Sequence, residues 1–344
     1  MQKLINNYLN EIITLLQPYT NKAYLVGGAS RDILMGKTPN DFDIEIYDIT
    51  PDKFEQLMDK IDANGVGKSF FVYKYKNFDL SLPRTESKIA KGHKGFNVKL
   101  TQNEKEASLR RDFTINSIMI NIFSGEILDF WGGINDIKNK TIRLINKNKF
   151  KEDSLRVLRA MQFSARFKFK IEKNTLKVCK NIELNDLSKD RIYKEFEKMF
   201  YAKYLYYGYY YMIKMDIDIK IFNKKFCFFK LAKTYMKNSH YNYFLYHLKN
   251  NYKINISFFP KKYKKLPKKK PKLVSNRFLY ALSLKYPLKE WSILNDNCCK
   301  KWLIENNIYE KKYKPKNIDF KNPKKSILQE IKNIKFDIIS KKKE

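Results

Sequence analysis

The chain of 344 residues carries 70 Lys and Arg against 36 Asp and Glu, and this net charge of +34 points to a polyanionic partner, although a compositional bias toward lysine accounts for part of it. Its four cysteines, Cys179, Cys227, Cys298 and Cys299, form no CxxC pair and have no histidine at ligand spacing, which argues against a disulfide framework or a zinc site. No apolar run approaches the roughly 18 residues of a membrane span, and polar residues interrupt Met1–Asn7, so a soluble cytoplasmic protein of two or three domains with no membrane contact is expected.

Residues 1–145 read as mixed α/β. Ala23–Val26 is a short apolar strand ended by Gly27-Gly28, and a helical stretch from Ser30 to Met35 stops at Gly36. Asp41 to Ile46 alternates strictly, with Asp41, Asp43 and Glu45 on one face and Phe42, Ile44 and Ile46 on the other. Val72–Tyr75 and Phe78–Leu82 suggest a hairpin around Lys76-Asn77. The stretch 91–106 is mostly polar and reads as a mobile segment, and Ile118–Phe123 and Glu126–Leu128 make a further strand pair across Ser124-Gly125.

From about Lys147 the pattern turns helical. Glu152 to Lys168 contains no Gly or Pro and spaces Leu155, Leu158 and Met161 as one helix face. Beyond residue 205 the chain is rich in Tyr, Phe and Lys; the tyrosines of 204–211 read as helix packing, and Lys261–Lys272, with Pro267 and Pro271, as a basic linker. The expected division is a head at 1–145, a helical neck at 146–205 and a basic helical body and tail at 206–344.

Asp41 and Asp43 stand at i and i+2 on a strand and so share a face. Two such carboxylates can hold Mg²⁺ against an attacking hydroxyl and a triphosphate. Taken alone, the pair also reads as a solvated strand face, with Glu45 continuing it in a structural role. Gly27-Gly28 lets backbone amides approach phosphates closely, and Arg31 after the turn can grip their oxygens; a plain strand-to-helix turn has the same letters.

The order of several such segments is more specific. Leu25-Val26-Gly27-Gly28-Ala29-Ser30-Arg31-Asp32 followed by Asp41-Phe42-Asp43, then Arg110-Arg111-Asp112-Phe113-Thr114-Ile115-Asn116, Asp129-Phe130-Trp131-Gly132-Gly133, Glu152-Asp153-Ser154-Leu155-Arg156-Val157-Leu158-Arg159 and, more weakly, Asp190-Arg191-Ile192-Tyr193-Lys194-Glu195 resemble the successive motifs of the class II tRNA nucleotidyltransferase and bacterial poly(A) polymerase family. The resemblance implies a polymerase-β-like α/β nucleotidyltransferase head with a mixed sheet, followed by an all-α neck, body and tail. It implies Asp41 and Asp43 as catalytic metal ligands for Mg²⁺, and Gly28, Arg31, Arg111, Asp153, Arg156 and Arg159 as nucleotide-binding residues. Asp79 reads either as a further acidic group at the site or as a surface aspartate.

Asp153 and Arg156 are i and i+3 on a helix, so their side chains are expected to be neighbours, and together they can imitate a Watson–Crick edge. Gln162 stands where many family members carry another arginine. Leu82–Lys88 with Gly92-His93-Lys94-Gly95-Phe96 looks like the flexible loop of the CCA-adding branch, which makes the 3′ end of tRNA the expected partner and CTP and ATP the expected substrates. Poly(A) synthesis, addition of C or A alone, and a non-catalytic RNA-binding protein remain the alternatives.

Overall fold

The computed structural model describes residues 2–67, 71–88, 96–227 and 269–310, with the short pieces 245–246, 248–249, 252–254, 259 and 338–339. The chain divides into two compact units, Met1–Lys225 and Phe226–Glu344.

In the first unit the strands are β1 (Ala23–Val26), β2 (Phe42–Ile46), β3 (Asn64–Gly67), β4 (Val72–Tyr75), β5 (Phe78–Ser81), β6 (Arg84–Lys88), β7 (Phe96–Leu100), β8 (Met119–Asn121), β9 (Ile127–Leu128), β10 (Thr141–Ile142) and β11 (Lys170–Ile171). A seven-stranded mixed sheet runs β3-β4-β5-β2-β1-β8-β9, parallel between β2 and β5 and antiparallel elsewhere. Helices α1 (Gln2–Leu16) and α3 (Pro51–Lys60) cover one face. There Leu9, Ile12 and Leu16 of α1 and Phe54, Leu57 and Met58 of α3 join Ala23, Leu25, Phe42, Ile44, Ile46, Leu80 and Ile120 in one apolar core. Alternation along β1 and β2 sends Tyr24 and Val26 to the other face, beside Tyr47, Ala107 and Met119, with Asp43 and Glu45 opposite them in register. The pleat therefore puts the carboxylates of β2 on the face away from the main core.

Helix α2 spans Gly27–Leu34, so it starts at the glycines themselves, and Gly36 ends it at φ +69°. The stretch expected to be polar and mobile is partly ordered instead. Phe96–Leu100 pairs antiparallel with Arg84–Lys88, and Glu104–Leu109 forms helix α4, capped by Asn103, whose side chain accepts the Glu106 N–H. Periodicity did not reveal the strand because charge alternates with apolar residues over only a few positions. The segment 89–95, including His93, lies outside the described residues.

The third sequence motif is structural. Asp129 accepts the N–H groups of Gly133 (2.7 Å) and Ile134 (2.9 Å) and so caps helix α5 (Gly133–Lys138). Trp131 Nε1 donates to Ser108 Oγ at 2.8 Å, tying this turn to α4.

Beyond β10 come α6 (Lys147–Lys151), α7 (Leu155–Phe167), α8 (Lys173–Lys180), α9 (Lys189–Phe200), α10 (Leu205–Lys214) and α11 (Ile217–Phe222). The tyrosine-rich stretch packs as expected: Tyr209 and Tyr211 of α10 are buried, and the Tyr211 hydroxyl accepts the Ile171 N–H at 2.9 Å. In the second unit, helices Asn276–Ser283, Leu288–Leu294 and Lys300–Glu305 enclose Trp291 with Leu279, Leu282, Leu288 and Leu303. Val274–Ser275 pairs with Ile338–Ile339 there. Residues 261–268 of the expected basic linker lie outside the described residues, and no helix among the described residues is long and apolar enough to cross a membrane.

The two glycines of the third motif make different demands. Gly132 adopts φ +76° with open space around its Cα, whereas a Cβ on Gly133 would stand 2.2 Å from the Thr114 carbonyl oxygen and 2.8 Å from Ile118. Gly133→Ala is therefore expected to cost about 3 kcal/mol or more in urea unfolding, and Gly132→Ala only about 1–2 kcal/mol of left-handed strain. The reverse ranking would refute the close approach.

Candidate active site

Gly27 lies at φ +69°, and a Cβ built on it would meet Asp43 Oδ2 at 3.2 Å and Arg111 Nη1 at 3.6 Å. The first half of the first motif, the strand aspartate and the second motif thus converge at one point, where a side chain on the turn would intrude. Gly28 follows, with Arg31 Nη2 3.5 Å from the position of its Cβ. Asp41 is exposed and sits one residue ahead of β2, rather than inside the strand as expected; Asp43 is half-buried.

Asp79 on β5 stands beside Asp43 in the parallel register and is ion-paired at 3.7 Å with Lys74. Burial raises the Asp43 carboxyl above its ordinary value; Arg111 opposes this and Asp79 adds to it. Such crowding of hard oxygens favours a cation, and the donors fit one. Among the described residues no group of three His, Cys, Asp or Glu side chains forms a metal cage. A cation here would need ligands from outside the protein to complete its shell.

Glu45, next on this face, is 1% exposed and serves two arginines. Its Oε1 accepts from Arg110 Nη2 and, at 2.5 Å, from Arg111 Nη2. Burial pushes the Glu45 carboxyl up, but Arg111 and Arg110 outweigh it and hold the group ionised below its usual range. Arg110 also reaches Glu86 at 3.5 Å, which pairs with Arg84 at 3.0 Å and whose carbonyl accepts Lys149 Nζ at 2.9 Å. The β6 strand is thereby fastened to the arginines of the second motif.

A second relay starts at Arg31, which is only 3% exposed. Its Nε and Nη2 donate to Asp32 Oδ1, and Nη1 donates to Asn116 Oδ1 at 2.6 Å. Asn116 Nδ2 donates to Asp112 Oδ1 at 2.9 Å, and Arg159 Nε donates to Asp112 Oδ2 at 2.5 Å. Helices α2 and α7 are linked through this chain. Arg31 also lies over the rings of Phe163 (5.4 Å) and Phe167 (4.6 Å), and Arg159 over Phe163 (5.0 Å).

The fourth motif departs from expectation. Asp153 precedes α7, and its Oδ1 accepts the Leu155 N–H at 3.2 Å. Its carboxylate pairs with Arg191 of α9, not with Arg156. Arg156 instead donates to the carbonyls of Lys149 (2.9 Å) and Arg110 (2.6 Å). A short polar side chain ahead of a helix satisfies the helix's own open N–H groups, and this pulls Asp153 out of the i, i+3 geometry. The weak fifth motif thus supplies the partner of the fourth. Gln162 is buried, and its Oε1 accepts no hydrogen bond among the described residues. The sequence placed Arg110, Asp112, Asn116 and Arg191 within motifs but assigned none of them a role of its own. The i, i+4 spacing of Asp112 and Asn116 was the available signal.

Residues 23–143 match the profile described as poly A polymerase head domain, and 168–222 that described as a probable RNA and SrmB-binding site of polymerase A. A CCA-adding enzyme of Buchnera aphidicola subsp. Baizongia pistaciae is 40% identical over 190 residues, 52% of this chain and 44% of that protein. The match thus spans less than half of the relative's length. Among solved structures, the Bacillus stearothermophilus CCA-adding enzyme in complex with CTP is 26% identical with TM-score 0.52, over 61% of this chain and 52% of the other. A tRNA-processing enzyme in an apo form shares the fold at TM-score 0.61 and 20% identity, over 94% of this chain and 97% of the other.

The Asp112 relay has a measurable consequence. Burial raises its carboxyl, but Arg159 and the Asn116 hydrogen bond more than compensate and hold it below its ordinary value. Its contribution is complete above about pH 4 and disappears as pH falls through the lowered folded value. Asp112→Ala takes the acceptor from the buried Asn116 amide and the half-buried Arg159 guanidinium and is expected to cost about 1–3 kcal/mol in urea unfolding at pH 7. A loss below about 1 kcal/mol would show that the relay does not hold α2 to α7.

Proposed function

Since the chain belongs to the nucleotidyltransferase family of CCA-adding enzymes and bacterial poly(A) polymerases, we propose that it adds CCA to the 3′ end of tRNA from CTP and ATP without a template. The observation that carries this reading is the meeting of Gly27, Asp43 and Arg111 at one point. A turn without a Cβ, a carboxylate in need of a cation and a guanidinium together make a seat for a triphosphate.

In this reading Asp41 and Asp43 would hold Mg²⁺, an ion that sites of this kind bind through one or two carboxylates. Bound there, the ion would supply neutralisation of charge on the reacting phosphate. Gly28 and Arg31 receive phosphate oxygens at the start of α2, and Arg111, held by Glu45, faces the same place. The 3′-hydroxyl oxygen of the RNA bonds to the α-phosphorus, pyrophosphate leaves, and the hydroxyl proton passes to solvent. Positioning supplies much of the rate in such a transfer.

Asp153, Arg156 and Arg159 are the proposed base and nucleotide contacts. Because Asp153 and Arg156 are engaged with Arg191 and with backbone carbonyls, base reading requires them to exchange those partners for a nucleotide. The division into head (1–145), neck (146–205) and body with tail (206–344) belongs to the same proposal.

Incubation with tRNA lacking its last three nucleotides, followed by sequencing of the product, tests the reading. The expected product is C, C, A and then a stop. A long A tail would assign poly(A) synthesis instead, and addition of C or A alone a partial enzyme. Asp41→Asn and Asp43→Asn are each expected to lower incorporation at least a hundredfold with the thermal melt retained. Substantial incorporation by both would remove these residues from the metal role.

A further inference from the structure

Phe163 and Phe167 stack with centroids 5.7 Å apart and an interplanar angle of 17°. Arg31 and Arg159, which share these rings, each have a carboxylate, Asp32 and Asp112 respectively. Two further cations on the stack do not. Arg166 lies over Phe163 (5.8 Å) and Phe167 (5.1 Å), and Lys37 lies over Phe167 at 5.1 Å. Both are exposed, and neither makes an ion pair among the described residues. Beside Phe167 the exposed Lys168 continues the row over the ring of Tyr204 at 5.6 Å, again without an ion pair among the described residues.

Like charges gathered on one aromatic ledge repel one another. Arg31 and Arg159 both add to the effect of burial in lowering the proton affinity of Arg166. The carboxylates that offset this, Asp32 and Glu195, are already engaged by Arg31 and Lys198. Helix C-termini tolerate cations, and Arg166 and Lys37 each lie at or just beyond one. That does not account for their sharing a ring with a third, buried guanidinium. The ledge is therefore short of an anion.

Position identifies the anion. Arg166 lies about 15 Å along α7 from Arg156, at 1.5 Å per residue. Lys37 lies past the end of α2 opposite Gly27-Gly28. Both are thus displaced from the proposed nucleotide seat, each along the helix that leads away from it. Phe163 and Phe167 are themselves buried, so what the ledge presents to solvent is its row of cations, and such a row suits the phosphates of a nucleic-acid backbone.

We propose that Lys37, Arg166 and Lys168 form a phosphate track that receives the backbone of the RNA being extended. This rests on the reading of the chain as an RNA-extending enzyme and assigns the ledge to the acceptor rather than to the incoming nucleotide. Each phosphate contact releases counterions and contributes about 0.7–0.9 to the slope of log affinity against log salt concentration.

The test is equilibrium binding of full-length protein to tRNA lacking its last three nucleotides, measured without chemistry at several salt concentrations between about 50 and 200 mM. Arg166→Gln should reduce the slope by about 1, and the triple variant Lys37→Gln, Arg166→Gln, Lys168→Gln by about 2–3. Arg166→Lys should restore the slope, because the charge rather than the fork makes the contact. Lys37→Gln alone, with no buried partner to lose, should reduce it by about 1 and serves if the arginine variant melts early. An unchanged slope in the triple variant overturns the proposal. So does a rise in the KM for CTP with the slope intact, which would hand Arg166 to the triphosphate. If wild type binds this RNA with the expected slope but extends nothing, the enzymatic reading fails and the track stands.

Discussion

A carboxylate buried as fully as Glu45 must be neutralised, and much of the site is arranged around that requirement. Leaving an ion unpaired there would cost several kcal/mol, so Arg110 and Arg111 are both drawn onto it. Once they are fixed, the Arg110 carbonyl is in place to accept from Arg156, and Arg111 is directed at the glycine turn. The residue after them, Asp112, is then placed to receive Arg159. Three consecutive residues thereby join the sheet, the glycine turn and α7.

The two relays divide the work. Glu45 with Arg110 and Arg111 fastens β2 to the second motif and, through Glu86, to β6. Asp112 with Asn116, Arg31 and Arg159 fastens α2 to α7. In the low dielectric of a protein interior hydrogen bonds in such networks are strong, and of the first relay only Arg110 Nε is left without a partner among the described residues. Rigid placement is what nucleotidyl transfer demands of a protein, since orientation carries much of the catalysis. The arginines that a sequence motif presents as ligands are thus also structural: Arg31 and Arg159 spend hydrogen bonds on holding the helices together.

The aromatic ledge of Phe163 and Phe167 extends the second relay outward. Among the described residues its inner cations are matched by carboxylates and its outer ones are not. Charge balance therefore changes along α7 among the described residues, from paired groups near the proposed nucleotide seat to surplus cations at the far end. An RNA strand laid along that gradient would meet positive charge before it meets chemistry, which also suits electrostatic steering of a polyanion.

Alternation and turn chemistry, both local, were readable from the sequence. The pattern of Asp41 to Ile46 determined which side of β2 faces the core, because the side-chain period of a strand is two. Gly27-Gly28 and Gly36 marked the ends of an element because glycine alone enters such turns without strain. The ordered motifs identified the family. Pairing between distant charges was decided only in three dimensions. Nothing local distinguishes Glu45, which is buried against two arginines, from the exposed Asp41 two turns of the alternation earlier. Asp153 looked like the helical neighbour of Arg156, yet the open N–H of Leu155 and the guanidinium of Arg191, on a helix far along the chain, claimed it first. A buried charge takes the partner that packing brings nearest, and packing is a property of the whole fold.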